Sequence, residues 1–200
     1  MGNTDKFEMI AAMYDTPERI HIAKVSADAI REYVQDAAGH HAIDFGCGTG
    51  LVGMSLLNEF QSMLFLDTSP SMIQQIRDKI SALGLQLADT LVFDFEKEDL
   101  SELRADYIFM AQVLLHIPDV SFVLKRLYDV LNDGGHLILV DFDKNEQVVS
   151  ELVHNGFDQT ELAQLMRDIG YTDIQSKTFY SGSRIFMGQD ASMFVLDARK

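Results

Sequence analysis

One short stretch constrains this chain more than any other: an apolar, strand-like run that leads directly into a glycine-rich turn. The sequence Ile43-Asp44-Phe45-Gly46-Cys47-Gly48-Thr49-Gly50 places three glycines at alternate positions, and a helical pattern follows over residues 51–60. Glycines let backbone N–H groups approach a ligand closely, and a helix N-terminus behind them favours polar or anionic groups. The pattern therefore indicates a site for a nucleotide-like ligand.

Short strand-like runs alternate with segments of helical period along the rest of the chain, which is typical of a parallel sheet with covering helices. Strands are predicted at residues 42–45, 63–66, 91–93, 107–110, 136–140, 174–180 and 193–197, and helices at 17–34, 51–60, 70–83, 120–131 and 160–169. Residues 181–190 are too few for a helical crossover, so the last strand should run antiparallel to the strand before it. We therefore expect an α/β fold.

Length and charge narrow the classes of protein that this chain can represent. Its 200 residues suit a single domain, and its formal net charge of −15 comes without a cluster of basic side chains. Nonspecific binding to nucleic acid is therefore not expected. The longest nearly apolar stretch, residues 107–115, is shorter than the roughly 18 residues that a membrane span needs. A single cysteine and the lack of a secretion signal favour the cytoplasm.

Two acidic residues follow strands near the glycine turn. Asp67 ends the second predicted strand, 21 residues after Gly46, where a carboxylate can accept hydrogen bonds from both hydroxyls of a ribose. Asp94, followed by Phe95, ends the third strand and can accept an adenine amino hydrogen beside an apolar neighbour. A dinucleotide fingerprint needs its third glycine where Leu51 stands, so pyrophosphate binding is disfavoured.

Each of these features also has an ordinary structural explanation. A glycine turn can be a tight connection between a strand and a helix, and Asp67 can be a solvated or helix-capping acid. Asp94 opens an acidic run with Glu96, Glu98, Asp99 and Glu102, and such runs are usually solvated faces. The residues alone leave both interpretations of Asp94 open.

Four motifs together resemble the class I S-adenosylmethionine (SAM)-dependent methyltransferases, particularly the group of the ubiquinone/menaquinone biosynthesis methyltransferases. They are the glycine turn at 43–50, Leu66-Asp67-Thr68-Ser69-Pro70-Ser71-Met72, the run from Asp106 to Asp119, and Gly134-Gly135-His136-Leu137-Ile138 with Asp141. The likeness covers residues 40–142. It implies a Rossmann-like, seven-stranded, mostly parallel sheet with an antiparallel last strand and helices on both faces.

The resemblance also implies a site for SAM, with S-adenosyl-L-homocysteine as the product. Gly46, Gly48 and Gly50 would wrap the methionine part, with Asp44 near its amino group. Asp67 would hold the ribose hydroxyls, and Asp94 with Phe95 would border the adenine. Further cofactor contacts are assigned to Cys47, Thr68, Met72 and Ala111. No metal ion is expected.

Three residues are candidates for a catalytic role. His116 follows the fourth strand, near the expected position of the methyl group, where its neutral form can take a proton. Tyr14, in Met13-Tyr14-Asp15, resembles the N-terminal Tyr-Asp pair that folds over the cofactor pocket in the family. His154 lies in the connection 142–158. Their structural alternatives are a hydrogen-bonded loop histidine, a packed loop tyrosine and an exposed loop histidine.

The sequence as a whole predicts a single SAM-dependent methyltransferase domain over residues 1–200 that acts on a small-molecule acceptor. Residues 1–38 would form an N-terminal helical cap, and residues 142–158 are a candidate lid. The alternatives are a nicotinamide-dependent oxidoreductase and a SAM-binding protein without catalysis. A homodimer is one hypothesis for the oligomeric state. Neither a nucleic-acid partner nor a membrane span is expected.

Overall fold

The computed structural model describes residues 8, 11–95, 97–98 and 102–200. The chain divides into two compact units, Met1–Leu100 and Ser101–Lys200. Over the described residues, the strands make up a seven-stranded sheet with helices packed around it. The expected α/β, Rossmann-like fold is confirmed.

The first unit is built on three parallel strands. Its helices and strands in chain order are α1 (Pro17–Arg31), β1 (His41–Phe45), α2 (Leu51–Leu56), β2 (Ser62–Asp67), α3 (Pro70–Leu83) and β3 (Ala88–Val92). Strand β2 pairs in parallel with β1 on one side and with β3 on the other. Parallel strands bring their carboxyl ends to one edge of a sheet, so the loops after β1 and β2 lie next to each other.

Helix α3 shows how the local sequence sets the elements of this unit. Ser69 caps the helix by accepting the Met72 N–H at 3.2 Å, and Pro70 is its first residue. A proline suits this position because its missing N–H would have no partner within the helix. The inward face buries Met72 and Ile76, at 1% and 0% exposure. Helix α3 therefore packs firmly against the sheet, directly after the end of β2.

The second unit contains four strands. Its helices and strands are β4 (Ala105–Ala111), α4 (Val120–Val130), β5 (Leu131–Phe142), α5 (Gln159–Ile169), β6 (Thr172–Phe186) and β7 (Gln189–Arg199). Strands β4 and β5 are parallel, whereas β7 is antiparallel to both of its neighbours, β5 and β6. The prediction of an antiparallel last strand is confirmed.

Two boundaries in this unit differ from the prediction. Residues 132–135, which look like a helix-breaking turn, belong to β5, and this strand begins directly after α4. Residues 181–190 look like a loop, yet β6 and β7 extend through that stretch, with pairs at Ser181–Ser192, Gly182–Ala191 and Phe186–Gln189, and leave only Met187 and Gly188 between them. At this second boundary, backbone pairing between the two strands has overridden the local composition.

Two helices end earlier than predicted. Helix α1 ends at Arg31 rather than at residue 34, and the predicted helix 51–60 becomes α2 followed by a short 3-10 turn, Leu57–Glu59. Such shifts of a turn or less leave the order of elements unchanged. Among the described residues, none of the helices has the length and apolar character needed to cross a membrane.

Candidate functional site

The glycine turn forms the loop between β1 and α2. Gly46, Gly48 and Gly50 have φ values of +70°, +54° and +80°, in the left-handed region that residues with a Cβ rarely enter. The N–H groups of Gly46 and Cys47 both donate to the Leu66 carbonyl, at 2.8 and 2.9 Å. The loop is therefore tied to the neighbouring strand close to its carboxyl end.

Asp67 is the last residue of β2, and it joins the glycine loop to the start of α3. Its Oδ2 accepts the Gly48 N–H at 2.8 Å, and its Oδ1 accepts the Ser69 N–H at 2.9 Å. Burial raises the pKa of this carboxyl, while hydrogen bonds from the backbone of Ser69, Gly48 and Thr68 oppose the rise. The two carboxylate oxygens have four lone pairs in all, so the carboxylate retains acceptor capacity for a further donor.

Asp44 lies beneath the start of α2. The residue is 2% exposed, and its Oδ2 accepts the Gly53 N–H at 3.1 Å. Burial raises the pKa of the Asp44 carboxyl to about 8. A Cβ at Gly53 would lie 2.4 Å from the same oxygen and 2.5 Å from the Phe65 ring. Gly53 thus leaves room for the Asp44 carboxylate and donates to it, a role that the motifs do not identify. A glycine in the first turn of a helix is the one sign of this role in the sequence.

Tyr14 and Asp15, called the N-terminal strap below, lie against the glycine loop. Tyr14 Cε1 is 3.8 Å from the position that a Cβ would take at Gly48. The Asp15 carboxylate accepts a hydrogen bond from the Thr49 hydroxyl and pairs with Lys79 Nζ at 2.9 Å. Lys79 Nζ also donates to the Thr49 carbonyl, at 2.7 Å. One lysine of α3 therefore holds both the strap and the loop.

Glu8 places a further carboxylate at the start of α3. It accepts hydrogen bonds from the hydroxyls of Ser69 and Ser71 and from the Ser71 N–H, the last at 3.2 Å. These hydrogen bonds lower the pKa of Glu8, and a helix N-terminus stabilises a negative charge. Neither Glu8 nor Lys79 belongs to a recognisable motif, so only the fold identifies them as neighbours of the site.

The other cofactor candidates of this unit have different surroundings. Met72 is 1% exposed and packs within the core face of α3. The Phe95 ring contacts Phe45, the residue before the glycine turn, with centroids 5.6 Å apart. The Asp94 carboxylate pairs with Lys97 Nζ at 2.6 Å. The first unit thus groups the acidic strand ends and the glycine loop around one sheet edge.

Ala111, His116 and His154 lie in the second unit. Ala111 is the last residue of β4, and His116 closes the 3-10 turn Leu114–His116. His154 Nε2 lies 2.8 Å from the Ile117 carbonyl oxygen. This unit therefore brings the two histidines to the same short loop after β4.

A second buried carboxyl supports that loop. Asp141 is 1% exposed, and it accepts the Leu115 N–H at 3.1 Å and the Phe142 N–H at 2.8 Å. Burial raises the pKa of the Asp141 carboxyl to about 7. The fifth-strand motif contains this aspartate, but its contact with residue 115 follows only from the fold.

Proteins of known sequence are similar to this chain. A family model described as a methyltransferase domain matches residues 43–137. The ubiquinone/menaquinone biosynthesis C-methyltransferase UbiE of Pseudoalteromonas translucida is 27% identical over 152 residues, which cover 72% of this chain and 61% of that protein. An uncharacterized methyltransferase of Geobacillus kaustophilus is 27% identical over an alignment of 213 positions, which covers 98% of this chain and 96% of that protein.

A solved structure shares the fold of this chain. The phosphoethanolamine N-methyltransferase 2 of Haemonchus contortus, in complex with S-adenosyl-L-methionine, superposes with a TM-score of 0.71 at 15% identity. The match covers 86% of this chain and 51% of that one, and it shows a shared fold. The chain is therefore similar to methyltransferase domains over residues 43–137 and to a SAM-dependent methyltransferase in its fold.

Proposed function

We propose that this protein transfers the methyl group of SAM to a small-molecule acceptor by in-line displacement. The observation that carries the proposal is Asp67, which anchors the glycine loop through Gly48 while its carboxylate keeps acceptor capacity for the ribose. SAM also has ammonium and sulfonium charges, which suit the acidic Asp67 at this sheet edge. The residues present therefore fit this cofactor, which supplies the electrophilic methyl group when bound.

The parts of the site have distinct roles in this proposal. Backbone of the glycine loop binds the methionine part, Asp44 offers a hydrogen-bond acceptor to its amino group, and Asp67 holds the ribose. The contact of Phe95 with Phe45 supports an adenine position beside the loop. The remaining assigned cofactor contacts are Gly46, Cys47, Gly48, Gly50, Thr68, Met72, Asp94 and Ala111.

The N-terminal strap supplies the cover that methyl transfer needs. Displacement at a sulfonium depends on alignment of the acceptor and on exclusion of water. Tyr14 contacts the loop near Gly48, and Lys79 holds Asp15 in place. Burial raises the pKa of the Tyr14 phenol, so this group stays protonated near neutral pH and acts as a hydrogen-bond donor and wall rather than as a base.

His116 is the proposed general base for an acceptor that must lose a proton. A hydroxyl acceptor needs such a base, whereas a thiolate or a neutral amine need not lose a proton first. A neutral imidazole can take a proton near pH 7, and the position of His116 just after β4 supports this role.

The replacement His116→Ala tests this role. It is expected to slow turnover of a hydroxyl acceptor by about a hundredfold and to leave SAM affinity unchanged. Initial rates and calorimetric titration measure the two quantities separately. Equal turnover of the variant and the wild type would restrict His116 to a structural role.

The proposed acceptor is a small molecule rather than a nucleic acid. Residues 1–38 and 142–158, which lie outside the cofactor motifs, are the segments proposed to recognise it. A net charge of −15 disfavours a polyanion. We place the reaction in the cytoplasm, and the homodimer remains a hypothesis about assembly.

Incubation with methyl-labelled SAM and a fractionated metabolite extract tests the proposed function. The expected result is label in a small-molecule fraction together with an equal amount of S-adenosyl-L-homocysteine. Binding of NAD without binding of SAM would instead support an oxidoreductase. Binding of S-adenosyl-L-homocysteine without transfer to any fraction would support a SAM-binding protein without catalysis.

A further inference from the structure

The connection after β5 is a loop whose two ends are joined in a neck. Asp143 and Phe157 form an isolated β-bridge, and the Phe157 N–H donates to the Phe142 carbonyl at 2.9 Å. The Asn145 N–H donates to the Asn155 carbonyl at 2.8 Å. Residue 154 therefore immediately precedes a neck that is hydrogen-bonded to the end of β5, and its position is well defined.

His154 makes two hydrogen bonds to the loop after β4. Its backbone N–H donates to the Leu115 carbonyl at 2.8 Å, and its Nε2 lies 2.8 Å from the Ile117 carbonyl oxygen. A carbonyl oxygen can only accept, so Nε2 must carry the hydrogen. The ring also packs on Phe157, with centroids 5.5 Å apart. The nitrogen nearest to the loop is thus committed as a donor.

Asp141 holds the same loop from the end of β5. Its Oδ2 accepts the Leu115 N–H at 3.1 Å. The N–H and the carbonyl of Leu115 are therefore both bound to other elements of this unit, by Asp141 and by His154. His116 is the next residue, and its own N–H donates to the Val113 carbonyl at 2.9 Å. The backbone on both sides of His116 is fixed.

We infer that His154 and Asp141 are positioning residues that clamp residues 114–117 and so hold His116 in place, and that His154 does not itself take the proton. The inference rests on the proposed function for the role of His116. Its physical reason is that a displacement of a catalytic group by about 1 Å can cost on the order of a hundredfold in rate. A short loop with two external anchors keeps such displacements small.

Two replacements of His154 separate a clamp from a base. Glutamine can present an amide N–H near the position of Nε2 but cannot act as a base, whereas leucine removes the donor. In His154→Leu, we expect amide exchange of residues 115–117 to accelerate by more than about tenfold. We also expect the rate of methyl transfer to the small-molecule fraction that accepts the label to fall by about tenfold or more. In His154→Gln, exchange, turnover and the pH–rate profile should stay close to wild type. His40→Leu, at an exposed histidine just before β1, is the matched control and should change none of these.

The outcomes decide between the two roles. Equal loss of turnover in His154→Gln and His154→Leu, with unchanged amide exchange, would make His154 a base and overturn the inference. Unchanged exchange and turnover in His154→Leu would also overturn it. If His154→Leu does not fold, His154→Asn carries the same expectation, because its shorter side chain does not reach the Ile117 carbonyl.

Failure of the proposed function would be visible separately. In that case the wild-type protein would transfer no label from SAM to any metabolite fraction. Amide exchange needs no acceptor, so faster exchange at residues 115–117 in His154→Leu would still support the clamp, and unchanged exchange would still contradict it.

Discussion

Gly53 leaves the space that the Asp44 carboxylate occupies beneath α2. Its N–H donates to Asp44 at 3.1 Å, and a Cβ at this position would meet the same carboxylate at 2.4 Å. We therefore expect Gly53→Ala to destabilise the protein by about 1–3 kcal/mol, because a buried carboxyl or the helix must shift to make room. Denaturant unfolding measures this change.

Gly39→Ala is the matched control for Gly53→Ala. A Cβ at Gly39 would meet nothing within 4 Å, so its effect should stay within about 0.5 kcal/mol. Equal stability of the two variants would mean that the space beneath α2 is not filled as described.

Single residues differ in how far their roles can be predicted from the sequence. Asp67 is predictable, because its spacing from the glycine turn and its place at a strand end are both visible in the sequence. Gly53 and Lys79 are not, because their roles come from contacts with parts of the chain far away in sequence. The place of Asp141 in a motif gives no hint that its carboxyl holds the Leu115 N–H.

At the scale of elements, α3 connects the N-terminal strap to the glycine loop through Lys79. Its Nζ pairs with Asp15 at 2.9 Å and donates to the Thr49 carbonyl at 2.7 Å. Lys79→Met keeps the length of the side chain but removes both interactions. We expect SAM affinity to weaken by about two- to fivefold, a modest loss because the ion pair is about one-third exposed.

Lys24→Met is the control for this prediction, since Lys24 forms an exposed pair with Asp28 within α1. Isothermal titration with SAM should show wild-type affinity for this variant. The strap would have no part in cofactor retention if the Lys79→Met variant also bound SAM as tightly as the wild-type protein.

The hairpin of β6 and β7 shows why element boundaries were harder to predict than element order. Two-residue hairpin turns favour sequences such as Asn-Gly, because both central residues need positive φ. Here the turn consists of Met187 and Gly188, with φ values of +51° and +79°. A methionine in this conformation gives no turn signal, so the length of the two strands is set by their pairing rather than by local sequence.

At the scale of the whole molecule, two buried carboxyls link folding to pH. Burial raises the pKa of Asp44 to about 8 and that of Asp141 to about 7, both above the ordinary value of roughly 3.9 in an unfolded chain. The folded protein therefore binds more protons than the unfolded chain between these values. The free energy of unfolding should fall as the pH rises from about 4 to about 8, by about 2 kcal/mol or more.

Denaturant midpoints measured between about pH 5 and pH 8 check this dependence. Asp44→Asn and Asp141→Asn should each flatten the curve, because each removes one of the linked groups. A free energy of unfolding that rises across this range, or the same slope in both variants as in the wild type, would contradict the assignment of these two groups.

The central claim is that the glycine loop and Asp67 form the proposed SAM site of this protein. Calorimetric titration of SAM into the wild-type protein, Asp67→Ala and the control Asp89→Ala, an exposed aspartate of β3, tests it most directly. Loss of the charge-assisted hydrogen bonds to the ribose should weaken binding to Asp67→Ala by more than about tenfold, while Asp89→Ala should bind as the wild type does. An unchanged dissociation constant for Asp67→Ala would contradict the claim.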